Sequence, residues 1–341
     1  MFAENTLKAY TPIDISTSKW DKFYSLFKQQ NLDLYRRNIE IPKTSVKIDL
    51  KNLNESLLSR DDIIRCHIDL TVTYNCLFIK NNTSNELLVI LSGARNEGES
   101  GTLFKRWSYY SFCKKNILLI ADPVLERYQH EGLRIGWYCN IDGINHLKNI
   151  AMIVKQFQKA QKILDNNVCF FGSSGGGYAA LSISEYFNQA LFVAINPQIF
   201  IDKHSLYNEL LKITQLDSEQ IEKKNIPKLI KDNINNTYCI IQNLNAKNDC
   251  EKHLFPLLRL LDIRSVSFGA NNFKNLIVLA YEAEGGHNAQ GDQIFFSKMM
   301  NVAEDFARSN HEISYDRNID TILFLSLFMK ASSKKSVVTK S

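Results

Sequence analysis

The strongest candidate for chemistry in this sequence is a pair of serines inside a glycine-rich turn, Gly-Ser-Ser-Gly-Gly-Gly, at residues 172–177. The turn fits the pattern G-x-S-x-G, which places a serine at the tip of a sharp strand-to-helix connection and exposes its hydroxyl group. Ser174 is the serine at that tip. The flanking glycines have a steric purpose, because a side chain two residues before or after the serine would collide with its surroundings. The pattern therefore predicts a nucleophile at Ser174.

Three other interpretations of this turn are weaker. An ordinary Gly-Ser loop is not usually bounded so closely by an apolar strand and a small-residue helix. A Walker A loop needs Lys-Ser/Thr after its last glycine, and Tyr-Ala stands there instead, which excludes that motif. The spacing Gly175-x-Gly177-x-x-Ala180 fits a dinucleotide fingerprint, but the acid required about 20 residues later is absent from Ala-Ile-Asn-Pro at 194–197.

A serine nucleophile needs a base to accept its proton and an acid to orient that base. With this type of elbow, the acid and then the histidine follow the serine along the chain. The histidines after the elbow are His204, His253, His287 and His311. We expect His287 to be the base, because it stands in a glycine-containing loop directly after the last predicted strand. A purely structural loop histidine is the alternative.

The acid that would orient the histidine is harder to predict from the sequence than the base. Asp249 is the only carboxylate between the predicted strand at 238–242 and the helix that follows it. Asp249 is therefore the predicted acid, with Glu251 as its substitute. An aspartate at this place also suits the N-cap of the helix. His253, in the first turns of that helix, is predicted to pack, with substrate contact as the alternative.

Acyl transfer also needs two donors for the oxyanion that forms on the carbonyl group. One is predicted to be the backbone N–H of Gly175, the residue after the nucleophile. The other is expected from the loop after the apolar strand at 87–91, hence from Gly93, Ala94 or Arg95. A glycine that only makes the turn is the alternative for Gly93.

Strand-like and helix-like segments alternate along the chain, which is typical of an α/β fold with a mostly parallel sheet covered by helices on both faces. An antiparallel pair at a sheet edge is predicted before the first parallel strand. The predicted strands are 66–74, 76–79, 87–91, 117–120, 168–171, 190–195, 238–242 and 276–280. The predicted helical segments are 146–164, 178–186, 199–235 and 251–261.

The chain divides into a catalytic domain with additions at both ends. Residues 1–62 are predicted to form a helical extension, with one amphipathic aromatic stretch near 20–27. Residues 63–310 form the α/β domain, in which 199–235 is a helical insertion at the usual position of a lid. Residues 311–341 are predicted to form a C-terminal helix and a basic tail.

Composition narrows the class of protein. The 341 residues are 45% hydrophobic, which excludes a disordered chain. Seven cysteines without C-x-x-C pairs predict a reducing compartment and no metal site.

No signal peptide and no transmembrane segment are predicted, so we expect a cytoplasmic protein, with peripheral association at the inner membrane as the alternative. No nucleic-acid partner is predicted. The formal charge of +5 permits an anionic substrate, for which Arg95, Lys105 and Arg106 are weak candidate ligands.

The sequence resembles the serine α/β-hydrolases, over residues 63–310, and in particular α/β-hydrolase-type proteins of bacterial capsular polysaccharide biosynthesis. Further motifs that carry this second resemblance are Phe104-x-Arg106-Trp107-Ser108, Asp122-Pro123, Gly136-Trp137-Tyr138, Asn196-Pro197-Gln198 and Gln242-Asn243. Some of these relatives are polysaccharide O-acetyltransferases. The resemblance implies an acyl-enzyme, acetyl-CoA as acyl donor with no resident cofactor, a carbohydrate polymer or activated sugar as acceptor, and capsule-assembly proteins as partners.

Two departures and two alternatives accompany the resemblance. The His-Gly-Gly-Gly oxyanion motif is absent, and the relatives carry their acid nearer to Ala246. A carboxylesterase or deacetylase would use the same three residues on an ester with water as acceptor. A non-catalytic capsule-assembly protein would keep the fold without a working triad.

Overall fold

The computed structural model describes residues 41–54, Leu58, 63–111, 113–283, 285–288 and 293–309. The predicted aromatic helix near 20–27 and the predicted C-terminal helix and tail at 311–341 lie outside these residues. Within the described chain, one sheet of ten strands forms the centre of the molecule. The strands are β1 Val46–Asp49, β2 Ile63–Asp69, β3 Thr73–Ile79, β4 Leu87–Leu91, β5 Asn116–Ile120, β6 Val168–Ser173, β7 Leu191–Ile195, β8 Thr237–Asn243, β9 Gly269–Phe273 and β10 Leu276–Tyr281.

The strand order across the sheet is β1-β2-β3-β5-β4-β6-β7-β8-β10-β9. Six adjacent strands in this order, β5, β4, β6, β7, β8 and β10, are all parallel to one another. β3 is antiparallel to both β2 and β5, and β9 is antiparallel to β10. β6, which carries the predicted nucleophile at its carboxyl end, lies in the middle of the parallel region. This topology confirms the predicted α/β-hydrolase fold.

Helices follow the parallel strands and cover the sheet. They are α1 Pro123–Arg127, α2 His146–Gln161, α3 Gly175–Ser182, α4 Tyr207–Thr214, α5 Ile226–Asp232, α6, which has three parts described next, and α7 Gln293–Arg308. The helix α6 begins as Lys247–Asp249, passes through a π-helical turn at Cys250–Leu254, and continues as Phe255–Leu260. The predicted lid region, 199–235, therefore contains α4 and α5.

Two hydrophobic clusters lie on opposite faces of the sheet, because successive side chains of a strand point to opposite sides. In β6, Val168 and Phe170 belong to one cluster and Cys169 and Phe171 to the other. A strand with helices above and below it buries both of its faces, which explains why the central strands are continuously apolar.

Two strands were not predicted from the sequence. β1 lies inside the region predicted to be helical and pairs in parallel with β2, from Val46 opposite Cys66 to Asp49 opposite Asp69. The predicted antiparallel pair is present, but β1 rather than β2 forms the edge of the sheet. β9 forms the opposite edge. Among the described residues, no helix is long and apolar enough to cross a bilayer.

A buried histidine at the start of α2 makes the stability of the fold depend on pH. His146 is 3% exposed, and its Nδ1 lies 2.9 Å from the hydroxyl group of Tyr74. Burial lowers the pKa of His146 from 6.5 to about 4. Between these two values the unfolded chain binds a proton that the folded chain does not, so stability is lost as the pH falls.

We expect the His146→Gln variant to lose less stability than the wild type between pH 7 and 5. The difference should be about 2 kcal/mol, because the unfolded-state histidine becomes protonated over this range. Urea unfolding at the two pH values measures it. The exposed His130, changed to glutamine, is the control and should keep the wild-type pH dependence. Equal pH dependence in the His146 variant and the wild type would contradict the prediction.

Candidate active site

Ser174 lies at the tip of the turn that joins β6 to α3. Its backbone has φ 57° and ψ −122°, a strained conformation for a residue with a side chain. Its N–H donates to the carbonyl group of Ile195 (2.9 Å), and its own carbonyl group accepts from Gly177 (3.1 Å) and Tyr178 (3.3 Å). These bonds hold the strained residue in place. The backbone therefore makes the sharp strand-to-helix turn that the motif predicts, and the role of Ser174 as nucleophile stays a prediction.

Two glycines make the tight turn sterically feasible. A Cβ atom on Gly172 would lie 2.0 Å from the carbonyl oxygen of Gly176, and one on Gly176 would lie 2.2 Å from the carbonyl oxygen of Leu91 in β4. Both are backbone atoms and cannot move away. The steric reason given for the motif thus holds for both positions.

The loop after β4 passes directly beside Ser174. A Cβ atom on Gly93 would lie 2.9 Å from the carbonyl oxygen of Ser173 and 3.7 Å from the Cβ of Ser174. Gly175, the other predicted donor, is the first residue of α3. The N-terminus of a helix favours negative charge. The two predicted oxyanion segments are therefore adjacent to Ser174.

Arg95 is engaged in holding its own loop. Its backbone N–H donates to the carbonyl group of Arg134 (2.7 Å), so Gly93 and Ala94 remain as donors from this loop. Its guanidinium group donates to the carbonyl groups of Glu99 and Gly101, both at 2.9 Å. The side chain is also buried. These contacts favour a structural role for Arg95 over the predicted contact with substrate.

Arg106 and Lys105 also have protein partners. Arg106 donates to the hydroxyl group of Ser173 (3.0 Å) and lies over the ring of Phe171. Lys105 forms an ion pair with Glu99 at 3.1 Å. Arg106 thus lies next to the turn at 172–177, whereas Lys105 contacts Glu99, as Arg95 does.

The predicted base and acid form a close pair. Nδ1 of His287 lies 2.6 Å from Oδ2 of Asp249. A carboxylate only accepts hydrogen bonds, so this contact places the imidazole proton on Nδ1 and leaves Nε2 of the neutral ring as the basic nitrogen. Asp249 is not the N-cap of α6, because Ala246 holds that position. Glu251, the substitute acid, is exposed.

A network of amide side chains fixes the loop that carries His287. Asn196 donates to the carbonyl group of His287 (3.0 Å), and Asn243 donates to that of Gly286 (2.9 Å). Gln242 in turn donates to the side-chain oxygen of Asn196 (3.2 Å). These residues come from the carboxyl ends of β7 and β8, so the sheet itself positions the histidine loop.

Gln198 is a functional candidate that was not assigned a role from the sequence. Its side-chain Nε2 lies 2.9 Å from the Oγ of Ser174, and its Oε1 accepts from the indole N–H of Trp137 (2.6 Å). Both residues belong to motifs on which the resemblance rests, but their contact joins positions far apart in the chain. Sequence spacing contains no signal for such a contact.

The two other histidines near the site are neutral at physiological pH. Burial lowers the pKa of His253 to about 4, and its Nδ1 accepts from the backbone N–H of Phe200 (3.3 Å). His253 is 1% exposed, so the prediction that it packs is confirmed. Burial also lowers the pKa of His204. Neither residue is paired with a carboxylate as His287 is.

The segment predicted to be a lid, 199–235, packs against Trp137. The rings of His204 and Tyr207 contact the ring of Trp137 edge to face, at centroid distances of 5.6 and 6.4 Å. Trp137 holds Gln198, and Gln198 contacts Ser174, so this segment packs on a residue next to the predicted nucleophile. Ser174 itself is 7% exposed.

No protein-family model matches the chain, and no curated protein matches it. Among solved structures, the capsule O-acetyltransferase of Neisseria meningitidis serogroup A shares 15% identity and a TM-score of 0.48, over 79% of this chain and 98% of that one. A variant of the same enzyme in complex with CoA shares 13% identity, also at a TM-score of 0.48, over 77% of this chain and 100% of that one.

Two further solved structures are similar. A protein of Bacteroides ovatus assigned as a dipeptidyl aminopeptidase IV shares 15% identity and a TM-score of 0.50, over 73% of this chain but only 36% of that one. Acetyl xylan esterase 1 of Thermoanaerobacterium shares 12% identity and a TM-score of 0.46, over 91% of this chain and 99% of that one. At such low identity, these are similarities of fold and not of activity.

Proposed function

We propose that this chain is an enzyme that transfers an acyl group through a serine-bound intermediate. The observation that carries the proposal is the strained Ser174 at the carboxyl end of β6, in a fold whose histidine loop holds His287 against Asp249 at 2.6 Å. Strain at a non-glycine residue persists only where the surrounding structure enforces it. A closely bonded histidine and aspartate after the elbow supply the proton acceptor that a serine needs.

The reaction proceeds in two steps. His287 accepts the proton of Ser174 through Nε2 while Oγ attacks the acyl carbonyl group, and backbone N–H groups of Gly175 and of Gly93 or Ala94 stabilise the oxyanion. The leaving group takes the proton from His287, and an acyl-enzyme remains. An acceptor hydroxyl group then gives its proton to His287 and attacks the acyl carbon. The bond from this carbon to Oγ breaks, and Oγ takes the proton from His287, which restores both residues.

The proposed substrates are acetyl-CoA as donor and a hydroxyl group of a bacterial capsular polysaccharide, or of its activated sugar precursor, as acceptor. Support comes from the sequence motifs that resemble those of α/β-hydrolase-type proteins of capsular polysaccharide biosynthesis, Asn-Pro-Gln at 196–198 and Gly-Trp-Tyr at 136–138 among them. We assign the segment that packs on Trp137 the task of keeping water from the acyl-enzyme, which transfer requires and hydrolysis does not. The enzyme would act where acetyl-CoA is made, in the cytoplasm, at or near the inner membrane.

An acetyl-CoA assay separates transfer from hydrolysis. The purified protein is incubated with acetyl-CoA, with and without de-O-acetylated capsular polysaccharide, and the released CoA thiol is measured together with the acetyl content of the polymer. Transfer predicts thiol release that depends on the polymer and acetyl groups gained by it. Thiol release without polymer, with free acetate as product, would instead identify an esterase-like enzyme. No turnover and no acyl-enzyme with any donor would favour the non-catalytic assembly protein.

A further inference from the structure

We infer that Gln198 is a catalytic residue, whose side-chain amide donates to Oγ of Ser174 and stabilises the charge on that oxygen during proton transfer to His287. The inference rests on the proposed function and adds a donor to it. The contact is direct, because Nε2 of Gln198 lies 2.9 Å from Oγ, the atom that forms the new bond. This donor is distinct from the backbone groups that stabilise the carbonyl oxygen of the substrate.

The orientation of the Gln198 amide follows from its other partner. An indole N–H is a donor only, so the atom of Gln198 that faces Trp137 at 2.6 Å must be the carbonyl oxygen. The NH₂ group therefore faces Ser174. Trp137 thereby fixes Gln198 as a donor to the nucleophile rather than an acceptor of its proton.

Gln198 is also held rigidly by its backbone and its burial. Its own N–H donates to the carbonyl group of Ser174 (3.2 Å), so main chain and side chain both contact the same residue. Gln198 is 2% exposed and Trp137 is 0% exposed. A donor that is positioned before the reaction stabilises developing charge without having to reorganise.

Trp137 is itself locked by its loop. It has a positive φ of 51°, and the next residue, Tyr138, has a φ of 55°. The N–H of Tyr138 donates to Oδ2 of Asp122 (3.2 Å), whose other oxygen caps α1 through Val124 (3.0 Å). The motifs that contain Asp122, Trp137 and Gln198 thus form one chain of contacts that ends at Ser174.

The bonding of Oγ balances in this arrangement. The hydroxyl group of Ser174 has one proton and two lone pairs. The proton passes to Nε2 of His287, one lone pair accepts from Gln198, and the other forms the bond to the acyl carbon. When the acceptor hydroxyl group later attacks, the bond from Oγ to the acyl carbon breaks, and the same amide donates to the departing oxygen.

The test compares rates of labelling by a fluorophosphonate probe, which reacts with Oγ and releases fluoride. The decisive variant is Gln198→Met, which has no donor at any pH. The second is Gln198→Glu, which keeps the shape of the side chain and its acceptor for Trp137 and removes the donor when the carboxyl group is ionised. We expect both variants to be labelled about 10- to 100-fold more slowly, as for loss of a hydrogen bond to a charged group. Intact-mass spectrometry gives the rates. Burial raises the pKa of a carboxyl group at position 198, and its protonated form could still donate, so the rate of the Gln198→Met variant decides.

The matched control is Gln158→Met. Gln158 is a buried glutamine in α2 whose amide donates to Asp165 (2.8 Å) and to the carbonyl group of Ile163, away from the nucleophile. Its labelling rate should equal that of the wild type. The pH at which labelling is half-maximal should also be unchanged in the Gln198→Met variant, because it adds no charge to the site. A disrupted fold would instead change that midpoint or abolish labelling.

Each outcome decides the inference. Labelling of the Gln198→Met variant at the wild-type rate would show that Gln198 only packs against Ser174, and would leave the proposed function intact. Faster labelling would mean that the amide restrains the serine, which also overturns the inference. If thermal melting shows that both variants unfold, Trp137→Phe decides, because it frees the Gln198 amide and is expected to slow labelling less. A folded wild type that is not labelled at all overturns both the inference and the proposed function.

Discussion

Replacing Ser174 with alanine is expected to abolish fluorophosphonate labelling and to lower acyl transfer by about a million-fold, the scale seen when a triad serine is removed. The physical reason is that no other oxygen occupies the tip of the β6 turn. Alanine at this position has the same backbone strain as serine, because both carry a Cβ at φ 57°. The variant should therefore fold, and intact-mass spectrometry of labelled protein measures the loss.

The adjacent serine provides the matched control. Ser173 accepts from Arg106 (3.0 Å) and lies in β6, one residue before the tip. We expect Ser173→Ala to be labelled within a few fold of the wild-type rate. An adduct that persists in the Ser174 variant and disappears in the Ser173 variant would show that the nucleophile has been assigned to the wrong serine.

The parts of this site that the sequence predicted depend on short stretches of chain. The elbow is defined by six consecutive residues at 172–177, and its glycines are required by contacts within the turn and with the adjacent strand. The continuously apolar strands, such as β4 and β7, reveal burial on both faces by composition alone. The order of Asp249 and His287 after the serine follows from the fold once the strands are assigned.

The parts that the sequence did not reveal depend on contacts between distant segments. β1 was missed because its four residues lie in a polar region, and only pairing with β2 makes them a strand. The role of Gln198 was missed because its orientation is set by Trp137 from another loop. Likewise, Asn196 and Asn243 hold the loop of His287 through backbone carbonyl groups that no motif specifies. Local patterns thus predicted the candidate reacting groups, whereas tertiary contacts determine how these side chains are held.

Replacing Asp249 with asparagine is expected to lower the labelling rate of Ser174 about 10,000-fold, which is the effect of the same change in other serine triads. In the wild type, the carboxylate accepts from Nδ1 of His287 at 2.6 Å and so leaves Nε2 unprotonated. An asparagine can turn its NH₂ group toward Nδ1 and stabilise the other tautomer. The proton then resides on Nε2, which can no longer accept one from Ser174. Labelling kinetics measure the loss, with thermal melting to verify the fold.

The control is Glu251→Gln, because Glu251 is the other carboxylate that the sequence allowed as the acid. It is exposed and stands two residues beyond Asp249, at the start of the π-helical turn of α6. Since Asp249 already occupies Nδ1 of His287, the Glu251 variant should be labelled at the wild-type rate. The opposite pattern, slow labelling after the Glu251 change and normal labelling after the Asp249 change, would transfer the orienting role to Glu251. It would also require the histidine loop to adopt a different position during the reaction.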